Sequence, residues 1–182
     1  MEPTGAPVTL SPAVPPPRLV IVGAARIAQA LAPMAQLAGL AVVVVDPRPG
    51  FATPERFPGV EVAAEPPETA LARIRLDRRS ALVSLAHDPQ LDDPAIGAAL
   101  RSGAFYVGCL GGKSTQAGLR ERLRAQGFEE PALERVHGPV GLPLGAATPG
   151  EIAVSILAEL VGCFRKLEPA APGGASVLGP KT

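Results

Sequence analysis

A chain of 182 residues with 47% apolar content and a mean hydropathy of +0.24 is long enough to bury a real core and is most simply one domain. Its 17 Lys and Arg balance 17 Asp and Glu, which removes the electrostatic argument for nucleic acid or an anionic membrane as a partner. No apolar run approaches a membrane span, no signal pattern opens the chain, and two cysteines are too few for a disulfide framework, so reduced thiols and a cytoplasmic setting are expected.

Residues 1–17 are rich in proline and poor in large apolar side chains, and residues 167–182 are similar; both are expected to be flexible flanks of one domain over residues 18–166. Arg18 to Val22 is a short β-branched run between Pro17 and Gly23, the pattern of a strand buried on both faces. Ile27, Leu31, Met34 and Ala38 then recur at helical spacing, Gly39 is placed to cap that helix, and Ala41 to Val45 is a second β-branched run ending at Asp46.

This is the opening of a nucleotide-binding βαβ unit, in which helix N–H groups meet a phosphate and an acid some 20 residues on takes ribose hydroxyls. Asp46 lies where that acid belongs. The glycine pattern is altered, however, to Gly23-Ala24-Ala25-Arg26-Ile27-Ala28, and Ala25 puts a Cβ where a second glycine normally lets phosphate approach. Arg26 opposes the helix dipole unless an anion sits nearby, and otherwise reads as a solvated surface arginine.

Beyond a loop punctuated by Pro and Gly, Val60 to Ala63 reads as a third strand, Pro67 to Arg75 as a helix and Ala81 to Ala86 as a fourth strand ending on His87-Asp88. Asp92 or Asp93 is placed to cap a helix opening at Pro94 and closing at Gly103. Ala104 to Val107 is the fifth strand, followed by a glycine-rich turn from Gly108 to Thr115 and a helix to about Gln126. Thr148-Pro149-Gly150-Glu151 is a capping box, and Ile152, Ile156, Leu160 and Cys163 make one apolar stripe that assigns Cys163 to the core.

Strands alternating with helices imply an α/β, Rossmann-like three-layer fold with a mostly parallel five-stranded sheet, and right-handed crossovers favour the order 3-2-1-4-5. Strands one and four are then neighbours at the topological switch point, and the Gly23 turn, the His87-Asp88 edge and the Gly108 loop should line one crevice.

Gly111-Gly112-Lys113-Ser114 resembles a P-loop, but Gly108 is one residue too close to Gly112 for that motif, which leaves a looser anion-binding turn at a helix start. Cys109 is reactive if exposed beside Lys113, and inert if buried at a strand end. His87, Asp88, Asp92 and Asp93 include metal-ligand types, but aspartates near proline more often cap helices, so no metal site is expected. His137 lies in a loop that either reaches the crevice or faces solvent. No catalytic residue is assigned; His87, Asp88 and Cys109 are the candidates.

Taken together, RLVIVGAARIAQALAPMAQLAG, VVVVDPRPGFATPERFPG, LVSLAHDPQLDDPAIGAAL, FYVGCLGGKSTQAGLRERL and HGPVGLPLGAATPGEIAVSILAEL resemble, in this order, the Rossmann domain of the XdhC/CoxI family over about Arg18 to Arg165. The resemblance implies a maturation factor that binds molybdenum cofactor (molybdopterin), assists its sulfuration and passes it to a molybdenum hydroxylase apoenzyme of the xanthine or carbon monoxide dehydrogenase type. It implies a chaperone more than a catalyst, and a homodimer for which the last apolar helix would serve. Binding falls on Gly23, Ala24, Ala25, Arg26, Ile27, Asp46, Arg48, His87, Asp88, Gly108, Gly111, Gly112, Lys113 and Ser114. The chain departs from the family at Gly23-Ala24-Ala25-Arg26, usually G-A-G-H, and at Gly108-Cys109-Leu110-Gly111-Gly112, usually G-A-L-G-S. Many relatives carry a cysteine motif in an N-terminal domain, for which this sequence is expected to have no room, so a separate protein with such a domain, or a sulfurtransferase, is an expected partner. Two rivals stand beside this reading: an NAD(P)-dependent oxidoreductase with Asp46 on the ribose and Arg48 near a 2′-phosphate, and a protein-binding scaffold with a decayed nucleotide site.

Overall fold

The computed structural model describes residues 15–168, and the remainder of both expected flanks lies outside them. Strands β1 (Arg18–Val22), β2 (Ala41–Val45), β3 (Glu61–Ala63), β4 (Ser80–Ser84), β5 (Tyr106–Cys109) and β6 (Val136–His137) form a six-stranded sheet in the order β3-β2-β1-β4-β5-β6. Every neighbouring pair is parallel.

The unbroken apolar runs have a direct cause. Leu19 and Ile21 of β1 face a cluster filled by helices α1 (Arg26–Leu37) and α6 (Pro149–Leu167). Val20 and Val22 face the opposite cluster, filled by α2 (Pro67–Ile74), α3 (Pro89–Arg101), α4 (Lys113–Ala125) and the short α5 (Glu130–Leu133). A strand covered on both sides has no face left for polar alternation. None of the described helices is long and apolar enough to cross a membrane.

Four local expectations are corrected. A sixth strand extends the expected five: Val136 and His137 pair with Val107 and Gly108, so His137 stands on a strand and not in a loop. Two residues are too short a stretch to carry a periodic signal. Next, β5 begins two residues later than Ala104 and takes in Gly108 and Cys109, because glycine inside a strand reads as a break although the ladder tolerates it.

Helix α3 opens at Pro89, not Pro94; Asp88 is its N-cap, accepting from Gln90 N at 2.9 Å, which leaves Asp92 and Asp93 free to be buried inside the helix. Finally, Cys163 is half-buried against the core and not sealed within it. The capping box of α6 forms as expected, with Glu151 N donating to Thr148 Oγ1 at 3.2 Å and Thr148 N to Glu151 Oε2 at 3.0 Å.

At the expected flanks, Pro17 O accepts from Ala41 N at 2.9 Å, so the last of the proline-rich residues is tied to the sheet. Leu167 completes α6, which therefore runs one residue past the expected domain end.

Candidate functional site

Because β1, β4 and β5 are adjacent and parallel, the turns leaving them emerge side by side. Leu85 N donates to Val22 O at 2.7 Å, and Leu110 N donates to Ser84 O at 2.9 Å. Gly23 takes φ +97°, and a Cβ there would lie 2.4 Å from Ala86 N, so the first turn approaches the turn after β4 as closely as only glycine allows. The turns after β1, β4 and β5 are thus brought to one border of the sheet, at the switch point.

Two helices start there without side-chain caps: α1 after Ala25 and α4 after Gly112, neither with an acid in its first turn. Their first N–H groups, and the exposed side chains of Arg26, Lys113 and Ser114, supply donors for an anion at this border, beside the Asp88 carboxylate at the start of α3. Beside the second start lies a cavity of about 840 Å³, lined by His87, Leu110, Gly111 and Gly112, by residues 139–146, and by Ile152 and Ser155 of α6.

Of the residues expected to bind a ligand, His87, Gly111 and Gly112 line this cavity. Lys113 and Ser114 follow directly on α4. Gly23, Ala24, Ala25, Arg26 and Ile27 lie at the neighbouring turn, outside the lining. Asp46 is fully enclosed: it accepts from Ala24 N at 2.8 Å and from Arg48 through N, Nε and Nη2 at 3.0, 2.8 and 2.6 Å. Burial would raise its carboxyl, but the bonds from Arg48 and Ala24 outweigh that and hold it below the usual carboxylate range.

Residues 19–160 match the XdhC Rossmann domain. The chain belongs to that family. It is 32% identical over 158 residues to the Escherichia coli protein YqeB, covering 87% of this chain and 28% of that one. It is 32% identical over 148 residues to a probable xanthine dehydrogenase subunit from Bacillus subtilis, covering 81% of this chain and 43% of that one. A 91-residue stretch is 30% identical to the molybdenum cofactor insertion chaperone PaoD of Escherichia coli, covering 50% of this chain and 29% of that one. Among solved structures, one described as a xanthine dehydrogenase from Bacillus halodurans superposes with a TM-score of 0.75 at 29% identity, covering 87% of this chain and 46% of that one. The chain thus spans less than half the length of each of these relatives.

In this XdhC domain Asp92 and Asp93, beyond the Asp88 cap, are supports. Ser84 Oγ donates to Asp92 Oδ1 at 2.5 Å and Asp88 N to Oδ2 at 2.9 Å, which braces the turn where His87 sits at φ 56°. Burial pushes the Asp92 carboxyl up despite those bonds. Asp93 is paired with Arg122 through two bonds of 2.5 and 3.0 Å. Among the described residues no group of 3 or more His, Cys, Asp or Glu could hold a metal ion.

Cys109 is 2% exposed and lies outside the cavity lining, with Sγ 3.5 Å from Leu110 O. Burial and the nearby Asp92 push its thiol up to about 12, so at neutral pH it is a protonated, enclosed group.

Sequence reasoning missed what holds the outer wall of the cavity. Glu159 of α6 accepts from Tyr106 Oη at 2.5 Å and from Gly141 N at 2.9 Å through Oε2, and meets His137 Nδ1 at 3.0 Å through Oε1. The Tyr106 and His137 rings stack at 4.5 Å. Leu142 N adds a bond to Ser155 O at 3.2 Å. The one available signal was a lone acid, Glu159, inside the apolar run from Ile156 to Phe164 of that helix.

Proposed function

We propose that this XdhC domain is a carrier that holds the phosphate-bearing pterin of molybdenum cofactor at the switch-point border and delivers it by contact to a molybdenum hydroxylase apoenzyme. The observation that carries the reading is the adjacency of a roomy, largely apolar cavity to the uncapped start of α4. A planar heterocycle with one anionic end needs those two environments side by side.

In this assignment Leu110, Val140 and Ile152 pack against the ring, and the His87 imidazole meets its polar edge. The N–H groups of the Gly111-Gly112-Lys113-Ser114 turn, with the Lys113 ammonium, take the phosphate. Arg26 at the neighbouring helix start adds to the field without joining the lining. The names of the relatives, a cofactor insertion chaperone among them, agree with a part in maturation. Sulfuration is assigned to a separate sulfurtransferase, because a neutral, enclosed Cys109 offers no thiolate to carry sulfur.

The test is calorimetric titration of the full chain with molybdenum cofactor, with capture of a molybdenum hydroxylase apoenzyme by the immobilised chain. Saturable binding and capture are expected. Absence of both overturns the proposal.

A further inference from the structure

In a dinucleotide fold the acid at the end of the second strand accepts the ribose hydroxyls of the nucleoside half. Asp46 holds that place, and its bond from Ala24 N ties it to the first turn. A carboxylate offers about four acceptor sites, and three further donors, all from Arg48, fill the remainder. Its exposure is 0%.

The guanidinium that closes over it is itself seated. Arg48 Cζ lies 4.3 Å from the centroid of the Phe51 ring, with Arg56 5.2 Å from the same ring. Arg56 in turn reaches back to α1, its Nη2 donating to Gln29 Oε1 at 3.3 Å. The segment after β2 is thereby folded against the helix that follows the first turn. A ribose entering here must displace a charge-assisted fork and leave the carboxylate with neutral hydroxyl donors in place of a guanidinium. The cavity, by contrast, lies on the β4 and β5 side, beside its own helix start.

We infer that the Asp46–Arg48 clamp is a specificity device that closes the nucleoside half of the groove, so that the site takes a pterin with a single terminal phosphate and turns dinucleotides away. The identity of the cargo rests on the carrier reading above; the exclusion of dinucleotides follows from the clamp alone.

The experiment titrates the full wild-type chain and Arg48→Met with NAD, with NADP, and with molybdenum cofactor in its monophosphate and cytidine-dinucleotide forms. Met keeps an apolar stem over Phe51 and removes the side-chain donors. Wild type should bind the monophosphate form, bind the dinucleotide form at least about tenfold more weakly, and give no heat with NAD or NADP. Arg48→Met should gain about tenfold or more for the dinucleotides and keep its affinity for the monophosphate form.

Equal affinity of wild type for both cofactor forms overturns the inference. So does NADP binding that Arg48→Met abolishes, which would make Arg48 a phosphate ligand. If wild type binds neither cofactor form, the carrier reading fails, and the clamp is judged on NAD alone: a gain in Arg48→Met supports it and no gain overturns it. Should Arg48→Met not fold, Arg48→Lys keeps the charge without the fork and is expected to show a smaller gain; no gain in that folded variant also overturns the inference.

Discussion

The Tyr106 hydroxyl donates to Glu159 Oε2 at 2.5 Å, and the same oxygen accepts from Gly141 N, so one carboxylate joins the sheet, the last helix and the wall of the cavity. Tyr106 is 1% exposed. Glu159→Ala leaves its hydroxyl buried without an acceptor, at a cost of about 1–3 kcal/mol, whereas Glu159→Gln keeps an acceptor and should lose less. Denaturant midpoints of the three proteins check the order, and proteolysis should cut residues 139–146 faster in the alanine variant.

The same group sets an acid limit. Burial would raise the Glu159 carboxyl, but the bonds from Tyr106, His137 and Gly141 outweigh it and hold it below the ordinary 4.5. A carboxyl depressed in the fold contributes stability that is present above its unfolded value and lost as pH falls through its folded one. Asp92 has the opposite sign: its carboxyl is raised above 3.8, so the folded state binds the proton more tightly and stability falls as pH climbs past that value. Asp92→Asn should therefore flatten this fall, losing less Tm than wild type as pH climbs above 3.8, while the loss at lower pH, where Glu159 titrates, is unchanged. A parallel pair of Tm curves would contradict this.

The parts of the molecule that could be read from the sequence are those in which local chemistry and tertiary role agree. Val43 and Val45 face one layer while Val42 and Val44 face the other, so β2 had to be an unbroken β-branched run, and it reads as one. Thr148 and Glu151 cap α6 with their own side chains, which needs no partner from elsewhere. Asp88, Asp92 and Asp93 were ambiguous for the opposite reason. All three are capping residues by type, and only the burial of Asp92 under Ser84 and the pairing of Asp93 with Arg122, 29 positions away, separate the cap from the supports. The site divides in the same way. The glycine-rich turn at Gly111 and Gly112 announces itself locally, but the wall of the cavity depends on Glu159 meeting Tyr106 across 53 positions, which no motif records.

Gly141 is the point at which that wall turns. It has φ +96°, and a Cβ there would lie 2.4 Å from Ser155 Oγ and 3.0 Å from the Ile156 backbone N. The serine hydroxyl can rotate away, but the helix backbone cannot. Gly141→Ala should cost about 1–2 kcal/mol from the left-handed backbone alone, and should weaken ligand binding as well, because residues 139–146 must move outward. Equilibrium unfolding reads the first effect and cofactor titration of the folded fraction the second; a stable variant with unaltered affinity would show that the wall takes no part in binding.

Lys113 separates the two helix starts as phosphate sites. Both α1 and α4 begin without caps, and each carries an exposed cation in its first turn, Arg26 and Lys113 respectively. Only α4 starts directly after residues of the cavity lining, Gly111 and Gly112. If the phosphate of the carried pterin rests there, Lys113→Ala should lower affinity roughly tenfold, about 1.4 kcal/mol, and the remaining binding should depend less on salt because one charged contact is gone. Arg26→Ala removes an equal charge at the neighbouring turn and should change affinity no more than about twofold, since solvent screens an exposed charge that does not touch the ligand. Titrations of both variants at two salt concentrations settle the assignment: a larger loss from Arg26→Ala would move the phosphate to the first turn and leave the cavity holding a different part of the ligand.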